Sequence, residues 1–459
     1  MNFSIPVCHK QPLTNNSEGR SLELADIFRL HADDYLANHK LSLKQHKVIF
    51  NIKHCRDGEF GYHIDICNKC DYTEKGNNSC RDRHCPKCQG SKRRKWVQAR
   101  VRELLPVPYY HTVFTLPHFL FILSLYNKTL IYNLLFDCAA QTLLQFGRDP
   151  KHLGATIGFY GILHTWGGKL WQHLHVHFIV AGGGLNEAGQ WVEPKHKGKF
   201  LFPVCAMSKV FRGKFVEGLK NAYYRNELKL PDELAHLSIP GNFEQWIDTL
   251  VGRDWVVYAK APMATPEKAL ANLSNYANKE VTSDNRLISL DGIAENNGMV
   301  EEKRPSGSFS EKVVGYIGRY TNQTAICNDQ LLSMDQGQIR FKFKNYKNKG
   351  CWEETTLPAT EFIRRFLMHV LPDGFHRIRY FGLFANGKRQ ANIEKIRQQL
   401  PMSETEVPLE QEAGTACPIC HDGILIPILE VTPFGTFILK PSWLYNKGDP
   451  GGTGSGCPN

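Results

Sequence analysis

The chain has 459 residues, 42% hydrophobic and 22% charged, with a formal net charge of +11. That length supports two or three domains with at least one sizeable core, and the composition is that of a soluble globular protein. No apolar run reaches the roughly 18 residues that a membrane helix needs, and Met1-Asn2-Phe3-Ser4-Ile5-Pro6 lacks the charged start and apolar stretch of a secretion signal. A cytoplasmic location is the expectation.

Residues 1–20 are polar, and residues 21–50 read as helical because Leu22, Leu24, Ile27, Phe28, Leu30 and Tyr35 fall near helical spacing. Fourteen cysteines in a long chain of this kind argue for metal ligation rather than a disulfide framework. Cys67-x2-Cys70 and Cys85-x2-Cys88 are two knuckles separated by 14 residues, a spacing that suits one tetrahedral zinc. Cys55, His63, Cys80 and His84 are further ligand types nearby, so the spacing leaves one zinc or two open. A closed four-ligand site supplies folding energy rather than chemistry.

Between Arg81 and Arg102 nine Lys or Arg stand against a single acid, Asp82. Residues 91–105 read as a basic helix that stops at Pro106. A solvated helix face is the bland account of such a block. Beside a zinc module it points instead to a polyanion, with Arg81, Arg83, Lys92, Arg93, Arg94 and Lys95 as phosphate contacts that give affinity and little sequence information.

Further along, Thr112–Leu116 and Phe159–His164 are strand candidates. His173-Leu174-His175-Val176-His177-Phe178-Ile179-Val180 is a third, leading to a turn signal at Gly182-Gly183-Gly184. Side chains alternate along a strand, so the three histidines line one face while Leu174, Val176 and Phe178 enter the core. Neighbours two apart lie about 6–7 Å from each other, and the outer pair roughly 13 Å. His175 and His177 are therefore the expected pair on a catalytic metal, and two ligands leave open coordination positions. His173 is assigned to DNA contact or to support of the site, and His164 is the candidate third ligand.

Ser308-Phe309-Ser310-Glu311 fits a capping box ahead of a helix through Lys312–Tyr320. Tyr316 and Tyr320 are four apart and share one face. Gly315 and Gly318 are poor helix residues whose presence suits close approach by another backbone, and Arg319 lies between the phenols. Residues 267–291 align without gaps on 311–335, with seven of 25 positions identical. Tyr276 aligns with Tyr320 and Asn272 with Tyr316, which makes Tyr276 a subsidiary candidate nucleophile. Residues 310–380 are expected to hold two helices with a strand pair between them. Residues 401–416 carry four Glu and no base and read as a linker, and the Gly/Pro/Ser-rich last twenty residues read as disordered. Cys417-Pro418-Ile419-Cys420 is half a zinc site, to which no metal is assigned.

Three elements in this order, Cys80-Arg81-Asp82-Arg83-His84-Cys85-Pro86-Lys87-Cys88, His175-Val176-His177 and Tyr316-Ile317-Gly318-Arg319-Tyr320, resemble those of the rolling-circle insertion-sequence transposases. Phe366-Leu367-Met368-His369-Val370-Leu371-Pro372 and Gly374-Phe375-His376-Arg377-Ile378-Arg379 are similar to that family as well. These enzymes belong to the HUH endonucleases, named for His–hydrophobic–His, and the likeness runs from about residue 25 to 385. The resemblance implies an α+β fold, an HUH-type antiparallel sheet flanked by helices and preceded by a small zinc-binding domain. It implies nicking and rejoining of single-stranded DNA by Tyr316 and Tyr320, with His175, His177 and His164 on Mg²⁺ or Mn²⁺ and structural zinc in the cysteine module. His173 and Arg319 would join the basic residues at DNA, in the cytoplasm at the nucleoid. The expected domains are 1–105 for zinc and DNA binding, 106–400 for the endonuclease, and 401–459 as linker and tail. A replication initiator or relaxase, and a zinc-finger DNA-binding protein without catalysis, are the rival functions.

Overall fold

The computed structural model describes residues 21–89, 96, 99–100, 103–195, 201–260, 324–345, 348, 351–400 and 415–439. The tyrosine helix with Tyr316, Arg319 and Tyr320, its upstream copy with Tyr276, and Lys92, Arg93, Arg94 and Lys95 lie outside the described residues, as does the end of the tail.

The expected N-terminal helix is two helices, α1 (Leu24–Asn38) and α2 (Leu43–Lys53). Each starts at a capping box, Glu23/Asp26 and Ser42/Gln45, in which cap and third residue satisfy each other's free backbone N–H. Strands β1 (Tyr62–Cys67) and β2 (Thr73–Asn77) follow, and then β3 (Tyr109–Thr115), α3 (Phe121–Tyr126) and α4 (Lys128–Arg148). Two long strands, β4 (Thr156–Trp166) and β5 (Gln172–Leu185), precede β6 (Trp191–Val192), α5 (Val204–Tyr224), α6 (Pro240–Val251) and β7 (Val257–Lys260). Residues 324–400 supply β8 (Leu331–Asp335), β9 (Gln338–Asn345), β10 (Cys351–Pro358), α7 (Ala359–Met368), β11 (Ile378–Gly382) and α8 (Arg389–Arg397). Last come β12 (Thr415–Ala416), β13 (Ile424–Thr432) and β14 (Gly435–Ile438). The fold is α+β, and its sheets are antiparallel throughout.

The central sheet runs β11-β4-β5-β3-β7, with β6 paired to β5. One face carries Leu174, Val176, Phe178 and Val180 of β5 and packs with Phe114 and Phe159 against Phe136 of α4, Phe211 and Phe215 of α5, and Phe243 of α6. Each such ring contributes about 1.5–3 kcal/mol through burial. The opposite face carries Tyr109, Tyr160, Ile162, Ile179 and Ala181 under Ile393 and Ile396 of α8. Trp96 and Arg100, in the basic segment, both donate to the Tyr380 hydroxyl of β11, which ties that segment to the same face.

The glycine triplet does not turn the chain. β5 runs through it, because a Cβ at Gly182 would stand 2.7 Å from the Pro108 carbonyl oxygen and one at Gly184 2.4 Å from that of Thr156. The glycines permit close approach rather than reversal.

The expected division at residue 105 differs from the packing. α1 and α2 share a core with β8, β9 and α7, where Phe28 meets Phe366 edge-to-face at 5.5 Å. The strand pair expected between two helices is a three-stranded sheet, β10-β9-β8. Within residues 401–459, expected as linker and tail, β13 pairs with β1 over Tyr62–Cys67, so the last described segment completes the sheet of the cysteine module. Among the described residues no helix is long and apolar enough to cross a membrane.

Candidate functional site

The central sheet brings three histidines together. His175 and His177 alternate on β5 with Leu174, Val176 and Phe178, whose burial on the other face fixes which way the imidazoles point. His164 of β4 is the direct cross-strand partner of His175 and so shares that face. The ring nitrogens available as ligands, one from each residue, all lie within 4.8 Å of one another. All three side chains are buried or nearly so, at 4%, 9% and 8% exposure for His164, His175 and His177.

The hydrogen bonds orient two of the rings. His175 Nδ1 donates to the His173 carbonyl oxygen at 2.7 Å, which leaves Nε2 as a bare lone pair. His177 Nδ1 lies 2.8 Å from His111 Nε2, and with His177 donating its own Nε2 is likewise left bare. Burial pushes the His175 ring down to about 3 and, with His164 and His175 alongside, the His177 ring well below its ordinary range. Neutral imidazoles with outward lone pairs are what a metal ion requires. His173 supports the cluster through its backbone, and its side chain is exposed.

Around the cluster, the Trp166 ring stacks on His164 at a centroid distance of 4.8 Å, and the half-buried Arg377 guanidinium lies 4.8 Å over that ring. Burial, with Arg83 nearby, lowers the Arg377 guanidinium to about 9. Buried His369 bonds Thr165 Oγ1 at 3.1 Å and the Leu170 carbonyl at 3.0 Å, holding the end of α7 against the β4–β5 turn. His111, Trp166 and Arg377 carry no role legible from their spacing in the sequence.

The cysteines group differently from the expected pairing of the two knuckles. Cys85 and Cys88 join Cys55 and Cys80, whereas Cys67 and Cys70 join Cys417 and Cys420. In the first group Cys88 Sγ lies 3.6 Å from both Cys55 and Cys80, and its thiol is pulled far down by those neighbours. Sulfurs about 2.3 Å from a tetrahedral zinc are about 3.8 Å apart, so the spacing fits that ion. It is far too long for a disulfide bond of about 2.05 Å. His63 and His84 stand in neither group. His63 Nδ1 lies 3.0 Å from Asn78 Oδ1, and His84 is spent between Asp82 Oδ1 at 2.9 Å and the Leu371 N–H at 3.2 Å.

Two of the expected phosphate contacts have partners within the protein. Arg83 donates to the carbonyls of Pro372 and Phe375 at 2.7 and 2.6 Å, locking the cysteine module to the loop before β11. Arg81 pairs with Glu430 of β13.

Residues 27–116 match the family described as "Transposase zinc-binding domain", and residues 158–300 and 293–391 match the family described as "Putative transposase". The "Putative transposase y4qJ" of Sinorhizobium fredii is 37% identical over 422 residues, covering 88% of this chain and 94% of that one. The "Transposase for insertion sequence element IS801" of Pseudomonas savastanoi pv. phaseolicola is 25% identical over 337 residues, 73% of this chain and 68% of that one. No solved structure matches.

Proposed function

Because this chain belongs to the insertion-sequence transposases of the IS91 type, we propose that it moves DNA by nicking and rejoining single strands through a phosphotyrosine intermediate. The observation that carries this reading is the trio His164, His175 and His177, three imidazoles whose ligand nitrogens lie within 4.8 Å of one another on neighbouring strands of one sheet. A divalent ion such as Mg²⁺ or Mn²⁺ held there would act as a Lewis acid on a phosphodiester and offset its developing charge. Arg377, half-buried over the Trp166 ring, adds fixed positive potential beside the cluster.

Tyr316 and Tyr320 are the nucleophiles in this reading. The phenolic oxygen of one attacks phosphorus and the bond to the 3′ oxygen breaks. The phenol's proton is lost as the departing strand end takes one up, and the 5′ phosphate stays on tyrosine. Attack on that linkage by another 3′-hydroxyl reverses the bookkeeping and restores a phosphodiester, so no nucleotide cofactor is consumed. Two phenols allow donor and target strands to be held in turn. The zinc module and basic residues 92–95 would grip phosphates, with structural zinc holding the module's shape.

The test is a nicking assay with purified protein, labelled single-stranded DNA from the element's ends and Mn²⁺. A covalent protein–DNA adduct is expected, and it should disappear in the Tyr316→Phe/Tyr320→Phe double variant. His175→Ala with His177→Ala should lower cleavage by more than about 100-fold while DNA binding changes by no more than about threefold. An undiminished adduct in the tyrosine variant removes those residues from the mechanism. Loss of binding in step with cleavage would make the histidines structural.

A further inference from the structure

The geometry points to a second zinc centre, held by Cys67, Cys70, Cys417 and Cys420, that fastens two segments far apart in the chain into one module. Cys67 Sγ lies 3.6 Å from Cys420 Sγ, and Cys70 Sγ lies 3.5 Å from Cys417 Sγ. Those separations are near the sulfur–sulfur edge of about 3.8 Å around a tetrahedral zinc.

The two knuckles are built alike although 347 residues separate Cys70 from Cys417. In each, the first sulfur accepts the backbone N–H two residues on, Lys69 to Cys67 and Ile419 to Cys417, both at 3.4 Å. In each, the residue after the second cysteine takes a left-handed backbone, Asp71 at φ 57° and His421 at φ 58°. The N–H of each first cysteine donates back across its turn, Cys67 to the Tyr72 carbonyl at 2.7 Å and Cys417 to the Gly423 carbonyl at 2.8 Å. Asn68 stitches one knuckle to the other, its N–H donating to the Ile424 carbonyl at 3.1 Å and its Oδ1 accepting from the Ile424 N–H at 2.9 Å.

Packing alone would not order this region. Its core is Cys67, Cys417 and Leu425, with Tyr72 and Cys420 partly buried against them. Clusters this small depend on a metal or another staple. Four soft thiolates in tetrahedral array select zinc over the harder ion expected at the histidines. Each thiol that ligates loses its proton to solvent, so loading releases protons.

The experiment is a zinc count on the full chain purified under reducing conditions, by native mass spectrometry and by elemental analysis. Two zinc equivalents are expected. Cys417→Ser with Cys420→Ser should leave one, Cys55→Ser with Cys80→Ser should leave the other, and Cys205→Ser should keep both. A single equivalent in the unaltered chain, or two in the Cys417/Cys420 variant, overturns the proposal. Should that variant fail to fold, cobalt replacement in the unaltered chain decides: two cobalt ions, each with the charge-transfer intensity of four thiolates, support the second centre, and one such ion refutes it.

Discussion

The histidine cluster and the thiol cluster of Cys67, Cys70, Cys417 and Cys420 are built on opposite plans. His164, His175 and His177 stand on two neighbouring, hydrogen-bonded strands over an aromatic core, so their positions need no ion. Cys67 and Cys417 sit at knuckles with barely a core beneath them. Where the scaffold is rigid the ion can come and go with the reaction, whereas a weak scaffold makes the ion part of the fold.

That contrast can be broken most forcefully by removing metal. A strong chelator under reducing conditions should abolish amide-exchange protection in residues 62–77 and 424–438 while β4 and β5 keep theirs. Structural zinc in small modules is worth on the order of 10 kcal/mol, enough for complete local unfolding. Equal loss in both regions, or loss in neither, would erase the distinction. Phe178→Ala approaches it from the other side. Emptying the space of a ring that is fully buried beneath the histidines should cost about 3–5 kcal/mol in denaturant unfolding, with bound zinc unchanged. Zinc lost in proportion to that destabilisation would show one cooperative unit. The smallest effect is the most local. His111→Ala should weaken Mn²⁺ binding by about 10–100-fold, read by calorimetric titration, because it removes the ring that orients His177. His111→Gln, which can still accept that hydrogen bond, should recover part of the loss. Unchanged affinity in both variants would reduce His111 to a packing residue.

The alternation from His173 to Val180 made β5 and its two faces readable, since period-two patterning over a buried underside leaves one register. The same pattern hid its own extension. Gly182-Gly183-Gly184 carries the usual composition of a turn, and only the neighbouring Pro108 and Thr156 carbonyls show why glycine is required within a continuing strand. His164 was a candidate without a known facing, because placing it opposite His175 depends on strand pairing. His111 was overlooked because a lone histidine in Tyr109–Thr115 has no visible partner until β3 lies beside β5. The cysteines mark the limit of spacing arguments. Four knuckle thiols close together in the chain suggested one site, yet strand β13 outcompetes proximity in sequence and brings Cys417 and Cys420 to Cys67 and Cys70. Arg81 and Arg83 looked like free cations for the same reason, as Glu430 and the carbonyls of Pro372 and Phe375 are remote in sequence.

The pairing of β13 with β1 also sets an order of events during synthesis. Tyr62 leaves the ribosome more than three hundred residues ahead of its partner Val431. Strand β1 must therefore wait, with only β2 beside it, while the whole central sheet is being made. A contact so distant along the chain forms late and slowly. A copy of the gene cut short before codon 424 would still encode every histidine and tyrosine considered for catalysis, but it would leave β1 with an open edge, prone to aggregation. Strand β13, made long after β1, is thus the one that gives it a second neighbour.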